Sequence, residues 1–138
     1  MKKPLIYIVD DDELNLNMIK HKFGVLGLTN IKTYHTGEAC LEEIKNYPNY
    51  LILDFSLEGL NGLDVLVEVK KQSKNTKVII YTGIDDKNLA QKCIDEGAEI
   101  YIVKNDEGLA KLEKIVKTIS NEARKGFLSG LFSSKINF

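Results

Sequence analysis

Four short apolar runs in this chain of 138 residues end directly in polar side chains that could do chemistry. Those side chains are Asp10, Asp11, Asp54, Thr82 and Lys104. Three carboxylates brought together repel one another unless a cation compensates, and oxygen-only ligands suit Mg²⁺. A lysine can hold an anion beside that metal, and a hydroxyl can donate a hydrogen bond to it. The set therefore indicates phosphoryl transfer with an aspartate as nucleophile.

These residues can meet only if the elements that carry them share an edge. Apolar runs bounded by turn residues predict strands at 5–9, 31–35, 50–53, 78–81 and 100–103. Helical spacing of apolar residues follows each strand. In the first helix, expected over 13–25, the apolar stripe is predicted to be Leu14, Ile19, Phe23 and Leu26.

Five strands that alternate with five helices predict an α/β fold with a doubly wound parallel sheet covered on both faces. Right-handed crossovers bring every loop that follows a strand to the same edge of such a sheet, where ligands bind. The polar residues named above all follow strands, so we expect them at this rim.

Composition limits the other possibilities. A net charge of −1 and 43% hydrophobic residues suit one soluble domain and argue against nucleic acid as the main partner. No apolar run approaches the roughly 20 residues of a membrane helix, and the apolar run near the start is too short for a signal peptide. Cys40 and Cys93 lie in helical patterns and are expected to be buried, so we expect a cytoplasmic protein.

Over about residues 5–120 the sequence resembles the receiver domains of two-component response regulators, of the chemotaxis type. The segments that carry the resemblance are Val9-Asp10-Asp11, Leu53-Asp54 with Gly62 following, Tyr81-Thr82-Gly83 and Tyr101-Ile102-Val103-Lys104. The resemblance implies a flavodoxin-like (βα)5 fold with strand order 2-1-3-4-5.

The resemblance also implies a role for each matching residue. Asp54 would be the phosphoacceptor and a metal ligand. Asp11 would bind Mg²⁺ directly, Asp10 largely through water, and the Ser56 backbone carbonyl would complete the protein ligands. Lys104 would contact the phosphoryl group.

Two further residues would form a switch. Thr82 would move towards the phosphoryl group, and Tyr101 would turn inward as the switch aromatic. Asp12 is better placed as a helix N-cap than as a metal ligand, although a shift of one position in the acidic assignment stays open.

Two positions depart from the family pattern, because Glu58 and Asn105 stand where receivers usually have proline. A cis bond before a residue other than proline costs roughly 2.5–4 kcal/mol, so we predict that the Lys104–Asn105 bond is trans. Asn105 or Asp106 could then cap the last helix.

We expect residues 1–120 to form the receiver domain and residues 121–138 a C-terminal extension. If the extension is helical, its apolar residues share one face: Phe127, Leu128, Leu131 and Phe132. Glycines and serines oppose a stable helix there. Packing on a partner, on a second copy in a homodimer, or on the domain itself is favoured over membrane contact.

The resemblance implies a non-enzymatic signalling domain, with at most self-catalysed phosphoryl transfer and autodephosphorylation. It would accept its phosphoryl group from a sensor histidine kinase or a histidine phosphotransfer protein. With no second domain expected, it would act by protein contact through the face made by helix four, strand five and helix five.

Two alternatives stay open. A phosphatase of the haloacid dehalogenase type also uses a strand-end aspartate, but it needs an acid where this chain has Ser56. A receiver-shaped docking module that is never phosphorylated is the other, with the altered loop at Asn105 as its hint.

Overall fold

The computed structural model describes residues 3–55, 61–125 and 136–137 as a parallel sheet with helices on both faces. Its strands are β1 (Ile6–Val9), β2 (Ile31–Tyr34), β3 (Tyr50–Leu53), β4 (Lys77–Thr82), β5 (Ile100–Val103) and β6 (Ile136–Asn137). Its α-helices are α1 (Glu13–Gly24), α2 (Gly37–Glu42), α3 (Gly62–Gln72), α4 (Lys87–Asp95) and α5 (Asp106–Lys125). A short 3-10 helix, Ile44–Asn46, follows α2.

The strands lie in the order β2-β1-β3-β4-β5-β6, and each neighbouring pair is parallel. The first five confirm the predicted doubly wound α/β fold with order 2-1-3-4-5. The sixth strand was not predicted. It lies beside β5, where Ile136 is paired with Tyr101 and Asn137 with Ile102.

Strands β1, β3 and β5 are buried on both faces of the sheet because they are apolar at successive positions. One set of alternate residues, including Tyr7 and Val9, packs against α2, α3 and α4. The other set, including Ile6 and Ile8, packs against α1 and α5. Cys40 and Cys93 are buried and free, and burial raises the pKa of both thiols to about 12.

The predicted stripe on α1 was partly wrong. Leu16, Ile19 and Phe23 form its buried face, whereas Leu14 is 79% exposed and Leu26, which lies beyond the end of the helix, is 37% exposed. Residues 16, 19 and 23 follow the spacing of one helical face, and residue 14 lies five positions from Ile19, which turns it away. Asp12 caps this helix, since its Oδ1 accepts a hydrogen bond from the Leu14 N–H at 3.0 Å.

Helix α5 continues five residues past the predicted boundary at 120, to Lys125. Its buried face includes Leu112, Ile115, Val116 and Ile119, as its periodicity predicts. Among the described residues, no helix combines the length and the apolar character needed to cross a membrane. The apolar side chains predicted to share a face at 127–132 lie outside the described residues, and the division into domain and extension remains a prediction.

Candidate functional site

The carboxyl ends of β1, β3, β4 and β5 bring the sequence-predicted polar residues to one edge of the sheet. Val9 is paired with Leu53 across the two central strands, so the aspartates that follow them are neighbours. The Asp54 N–H donates to the Val9 carbonyl at 3.0 Å, and the Lys104 N–H donates to the Thr82 carbonyl at 2.7 Å. Hydrogen bonding therefore continues one residue past each strand and fixes the backbone at these positions.

Three carboxylates form an acidic cluster at this edge. One oxygen each of Asp10, Asp11 and Asp54 lies within 4.8 Å of the other two. Asp10 and Asp54 are only 2% and 4% exposed, whereas Asp11 is exposed. The cluster thus has two buried carboxylates and one that faces solvent.

The Lys104 ammonium bridges the two buried carboxylates. Its Nζ lies 2.9 Å from Asp10 Oδ2 and 3.2 Å from Asp54 Oδ2. Burial lowers the pKa of Lys104, but the hydrogen bond to Asp10 and the charges of Asp54 and Asp10 outweigh burial, and the net pKa is raised. Lys104 is therefore the charged counterion of this pocket.

The contact with Lys104 compensates the negative charge of the Asp10 carboxylate only in part. Burial raises the pKa of Asp10 more than the hydrogen bonds from Lys104 and from the Asp12 N–H lower it, and the charge of Asp54 adds to the rise. One ammonium consequently does not neutralise the acidic cluster. A small hard cation with oxygen ligands would, and the donor set of carboxylates next to solvent suits Mg²⁺.

Thr82 and Tyr101 are joined through one residue, Ile84. The Thr82 Oγ1 accepts a hydrogen bond from the Ile84 N–H at 3.3 Å, and the Tyr101 hydroxyl donates to the Ile84 carbonyl at 2.6 Å. Both Thr82 and Tyr101 are fully buried. Tyr101 thus lies inward in this structure, and burial raises the pKa of its hydroxyl.

The loop after Lys104 follows the prediction made from Asn105. No described peptide bond is cis, so Lys104–Asn105 is trans. The Asn105 Oδ1 accepts a hydrogen bond from the Gly108 N–H at 2.7 Å, which makes Asn105 rather than Asp106 the cap of α5.

Sequence reasoning missed two aromatic contacts at the site. The Lys104 Nζ lies 5.6 Å from the centroid of the Tyr81 ring, within the range of a cation–π interaction. Phe55, directly after Asp54, meets Tyr101 edge to face, with ring centroids 6.3 Å apart. The sequence offered one signal for these contacts, namely that Tyr81 and Phe55 are direct neighbours of Thr82 and Asp54. It could not name the partners, because both contacts join residues far apart in the sequence.

Gly62 explains how Phe55 can be accommodated. A Cβ at Gly62 would lie 2.2 Å from Phe55 Cδ1 and 2.8 Å from Phe55 Cα, so only glycine permits this approach. Beside Thr82, a Cβ at Gly83 would meet nothing within 4 Å. Ser56 and Glu58, which the sequence also singled out, lie outside the described residues.

Comparisons with known proteins cover most of the chain. A family model described as response regulator receiver domain matches residues 6–117. The DNA-binding transcriptional regulator NtrC of Escherichia coli K12 is 28% identical over 120 residues, which are 84% of this chain and 25% of NtrC. A nitrate/nitrite response regulator protein homolog of Haemophilus influenzae is 33% identical over 79 residues, which are 57% of this chain and 38% of that protein. The chain therefore spans well under half the length of these relatives.

Solved receiver structures share the fold closely. A CheY-like response regulator receiver domain protein from Methanospirillum hungatei matches with a TM-score of 0.77 and 27% identity, over 91% of this chain and 100% of that one. The BeF₃-activated receiver domain of DrrB, from Thermotoga maritima, matches with a TM-score of 0.73 and 26% identity, over 84% of this chain and 97% of that one.

Proposed function

Because this chain belongs to the response regulator receiver family, we propose that it accepts a phosphoryl group on Asp54 and signals by protein contact. The observation that carries the proposal is the position of Asp54, buried, within the acidic cluster and in contact with the Lys104 ammonium. The donor is a sensor histidine kinase or a histidine phosphotransfer protein.

The metal is Mg²⁺, held by Asp10, Asp11 and Asp54, with the Ser56 backbone carbonyl as the further ligand that the resemblance implies. Support comes from the charge of the site, because three carboxylates face one ammonium and burial already raises the pKa of Asp10. When bound, Mg²⁺ supplies charge neutralisation for the transferring phosphoryl group.

The chain's own residues then perform the transfer. An oxygen of the Asp54 carboxylate forms a bond to phosphorus while the bond from phosphorus to the donor imidazole nitrogen breaks, and that nitrogen keeps the electron pair. Lys104 gives up its contact with Asp54 and donates to a phosphoryl oxygen, while its contact with Asp10 keeps the ammonium in place. In autodephosphorylation a water oxygen forms the new bond to phosphorus while the bond from phosphorus to the Asp54 oxygen breaks, and the carboxylate keeps the electron pair as inorganic phosphate leaves. This step needs no separate enzymatic activity.

The signal leaves the site through Ile84. When the Thr82 hydroxyl turns to donate to the phosphoryl group, its hydrogen bond from the Ile84 N–H is lost or redirected. The Ile84 carbonyl is at the same time the acceptor for the Tyr101 hydroxyl, so a movement of this residue reaches the switch aromatic directly. Phe55 offers a second contact between Tyr101 and the residue next to the phosphoacceptor.

The output surface is the face of α4, β5 and α5 beside Tyr101. Its partner is a downstream protein or a second copy of the chain, and nucleic acid is not a direct partner. Strand β6 lies along β5 at this edge of the sheet. The C-terminal extension therefore either forms part of the output surface or competes with the partner for binding to it. The working location is the cytoplasm, where histidine kinases present their donor groups.

Intact mass after incubation with acetyl phosphate tests the proposal. We expect a gain of one phosphoryl group that requires Mg²⁺ and is absent from Asp54→Asn. Asp12→Asn is the matched control, because it removes a neighbouring charge while asparagine still caps α1.

Some receivers do not react with small donors, so beryllofluoride binding and a histidine kinase donor form the second arm. Failure in every arm would leave the phosphorylation-independent docking module as the better description. Modification that persists in Asp54→Asn would contradict the assignment of the acceptor.

A further inference from the structure

The loop that follows β5 holds Asn105 at three points. Its N–H donates to the Val103 carbonyl at 2.9 Å, its carbonyl accepts from the Leu109 N–H at 2.8 Å, and its Oδ1 accepts from the Gly108 N–H at 2.7 Å. The residue between Val103 and Asn105 is Lys104. The backbone on the C-terminal side of the lysine is therefore held by two main-chain hydrogen bonds and one side-chain acceptor, and a proline at this position would lack both the N–H donor and the side-chain acceptor.

Gly108 allows this loop to close. A Cβ at position 108 would lie 1.7 Å from the Val103 carbonyl oxygen and 2.9 Å from its carbon. The first turn of α5 thus lies directly against the last residue of β5, at a distance that excludes any side chain. The cap and the close approach together join the end of the strand to the start of the helix around Lys104.

The backbone position of Lys104 determines where its ammonium lies, because the long side chain has to reach two carboxylates in a narrow space. Its Nζ reaches Asp10 Oδ2 at 2.9 Å and Asp54 Oδ2 at 3.2 Å, with the Tyr81 ring centroid 5.6 Å away. On the N-terminal side, the Lys104 N–H is fixed to the Thr82 carbonyl at 2.7 Å. Asn105 supplies the matching constraint on the other side.

We propose that Asn105, with Gly108 as its hydrogen-bond donor, is a positioning residue that directs the Lys104 ammonium to the acceptor site. For its catalytic meaning the inference rests on the proposed function. Asn105 itself does not touch the reacting atoms. It acts by setting the origin of the lysine side chain, in place of the proline usual in the family.

The first test reads the lysine position without any phosphorylation. Because the Lys104 Nζ lies 5.6 Å from the Tyr81 ring centroid, we expect the Lys104 Hε protons of the intact protein to be shifted upfield from those of exposed lysines in a carbon–proton NMR spectrum. Asn105→Ala should move them towards the exposed values, and Asn105→Ser, which can still cap α5, should restore the shift.

The second test separates the phosphoryl contact from metal binding. In saturating Mg²⁺, Asn105→Ala should weaken the apparent affinity for beryllofluoride by up to about fivefold, the limit reached if the whole free energy of one helix cap is expressed in the placement of Lys104. Its affinity for Mg²⁺ alone should be unchanged or higher, because a displaced ammonium no longer competes for Asp10 and Asp54. General loosening of the fold would weaken both.

Thr36→Ala is the matched control, since it removes the cap of α2, a hydrogen bond of 3.1 Å to the Ala39 N–H. It should lower the melting temperature as Asn105→Ala does, yet leave the Lys104 protons and beryllofluoride affinity unchanged.

Unchanged Lys104 protons in Asn105→Ala would overturn the inference, as would parallel losses of Mg²⁺ and beryllofluoride affinity. If the intact protein bound no beryllofluoride and accepted no phosphoryl group from acetyl phosphate or a histidine kinase, the proposed function would fail, while the NMR comparison would still decide the positioning role.

Discussion

Replacing Gly108 with alanine should destabilise the protein, although alanine normally favours a helix. The new Cβ would lie 1.7 Å from the Val103 carbonyl oxygen, while real Cβ contacts essentially never fall below 3.0 Å. The first turn of α5 must therefore move away from β5 by more than an ångström. The clash is with backbone, which cannot rotate away as the end of a flexible side chain can.

The expected magnitude follows from two opposing effects. Overpacking in a closely packed region costs typically about 1–3 kcal/mol. Alanine in place of glycine within a helix returns about 1 kcal/mol. Because this clash is at the severe end, we expect the free energy of unfolding to fall by about 2 kcal/mol in Gly108→Ala.

Urea unfolding followed by circular dichroism measures this change, and Gly24→Ala provides the control. Gly24 ends α1, and a Cβ there would meet nothing within 4 Å. The control should be neutral or more stable by up to about 1 kcal/mol. If Gly108→Ala proved as stable as Gly24→Ala, the close approach of α5 to β5 would be wrong, and with it the account of how Lys104 is held.

Three further predictions concern charge and the sheet edge. Lys104→Met should tighten Mg²⁺ binding about fivefold, because even in a water-like dielectric a removed charge near the ion relieves about 1 kcal/mol of repulsion. The same substitution should abolish beryllofluoride binding. Calorimetry measures both affinities, and weaker Mg²⁺ binding would refute this prediction. Burial raises the pKa of Asp10, so its charge destabilises the metal-free fold above that pKa and the penalty fades as the pH falls through it. Asp10→Asn should thus stabilise the metal-free protein at neutral pH, with the gain in unfolding free energy shrinking on acidification; a gain that grew would reverse the sign. Removal of residues 126–138 should expose the edge of β5 and speed amide hydrogen exchange at Tyr101 or Ile102, whereas unchanged exchange would argue that β6 is not paired in solution.

Local sequence pattern was sufficient for the elements that carry the site. Each central strand is a short apolar run, and the end of each run placed Asp10, Asp54 and Lys104 at a strand end without knowledge of their neighbours. The cap at Asp12 was also predictable, and the cap of α5 was narrowed to Asn105 or Asp106, because a capping side chain binds a backbone N–H within three residues.

The sequence pattern predicted less well which residues of an element are buried, because burial depends on the face that packs against the core. Leu14 and Leu16 are both leucines in α1, and only packing against the sheet buries the second and exposes the first. Strand β6 was missed for a related reason. Two residues carry no periodicity, and their strand exists through pairing with β5.

The finer features of the site were decided by tertiary structure alone. The bridge from Lys104 to two carboxylates, the Tyr81 ring near its ammonium, and the contact of Gly108 with Val103 join segments on different elements. The sequence by itself determined which chemical groups stand at the strand ends, because strand and helix periodicities are local properties. The distances among those groups depend on how the helices pack on the sheet and on the burial that results, and these are properties of the whole fold.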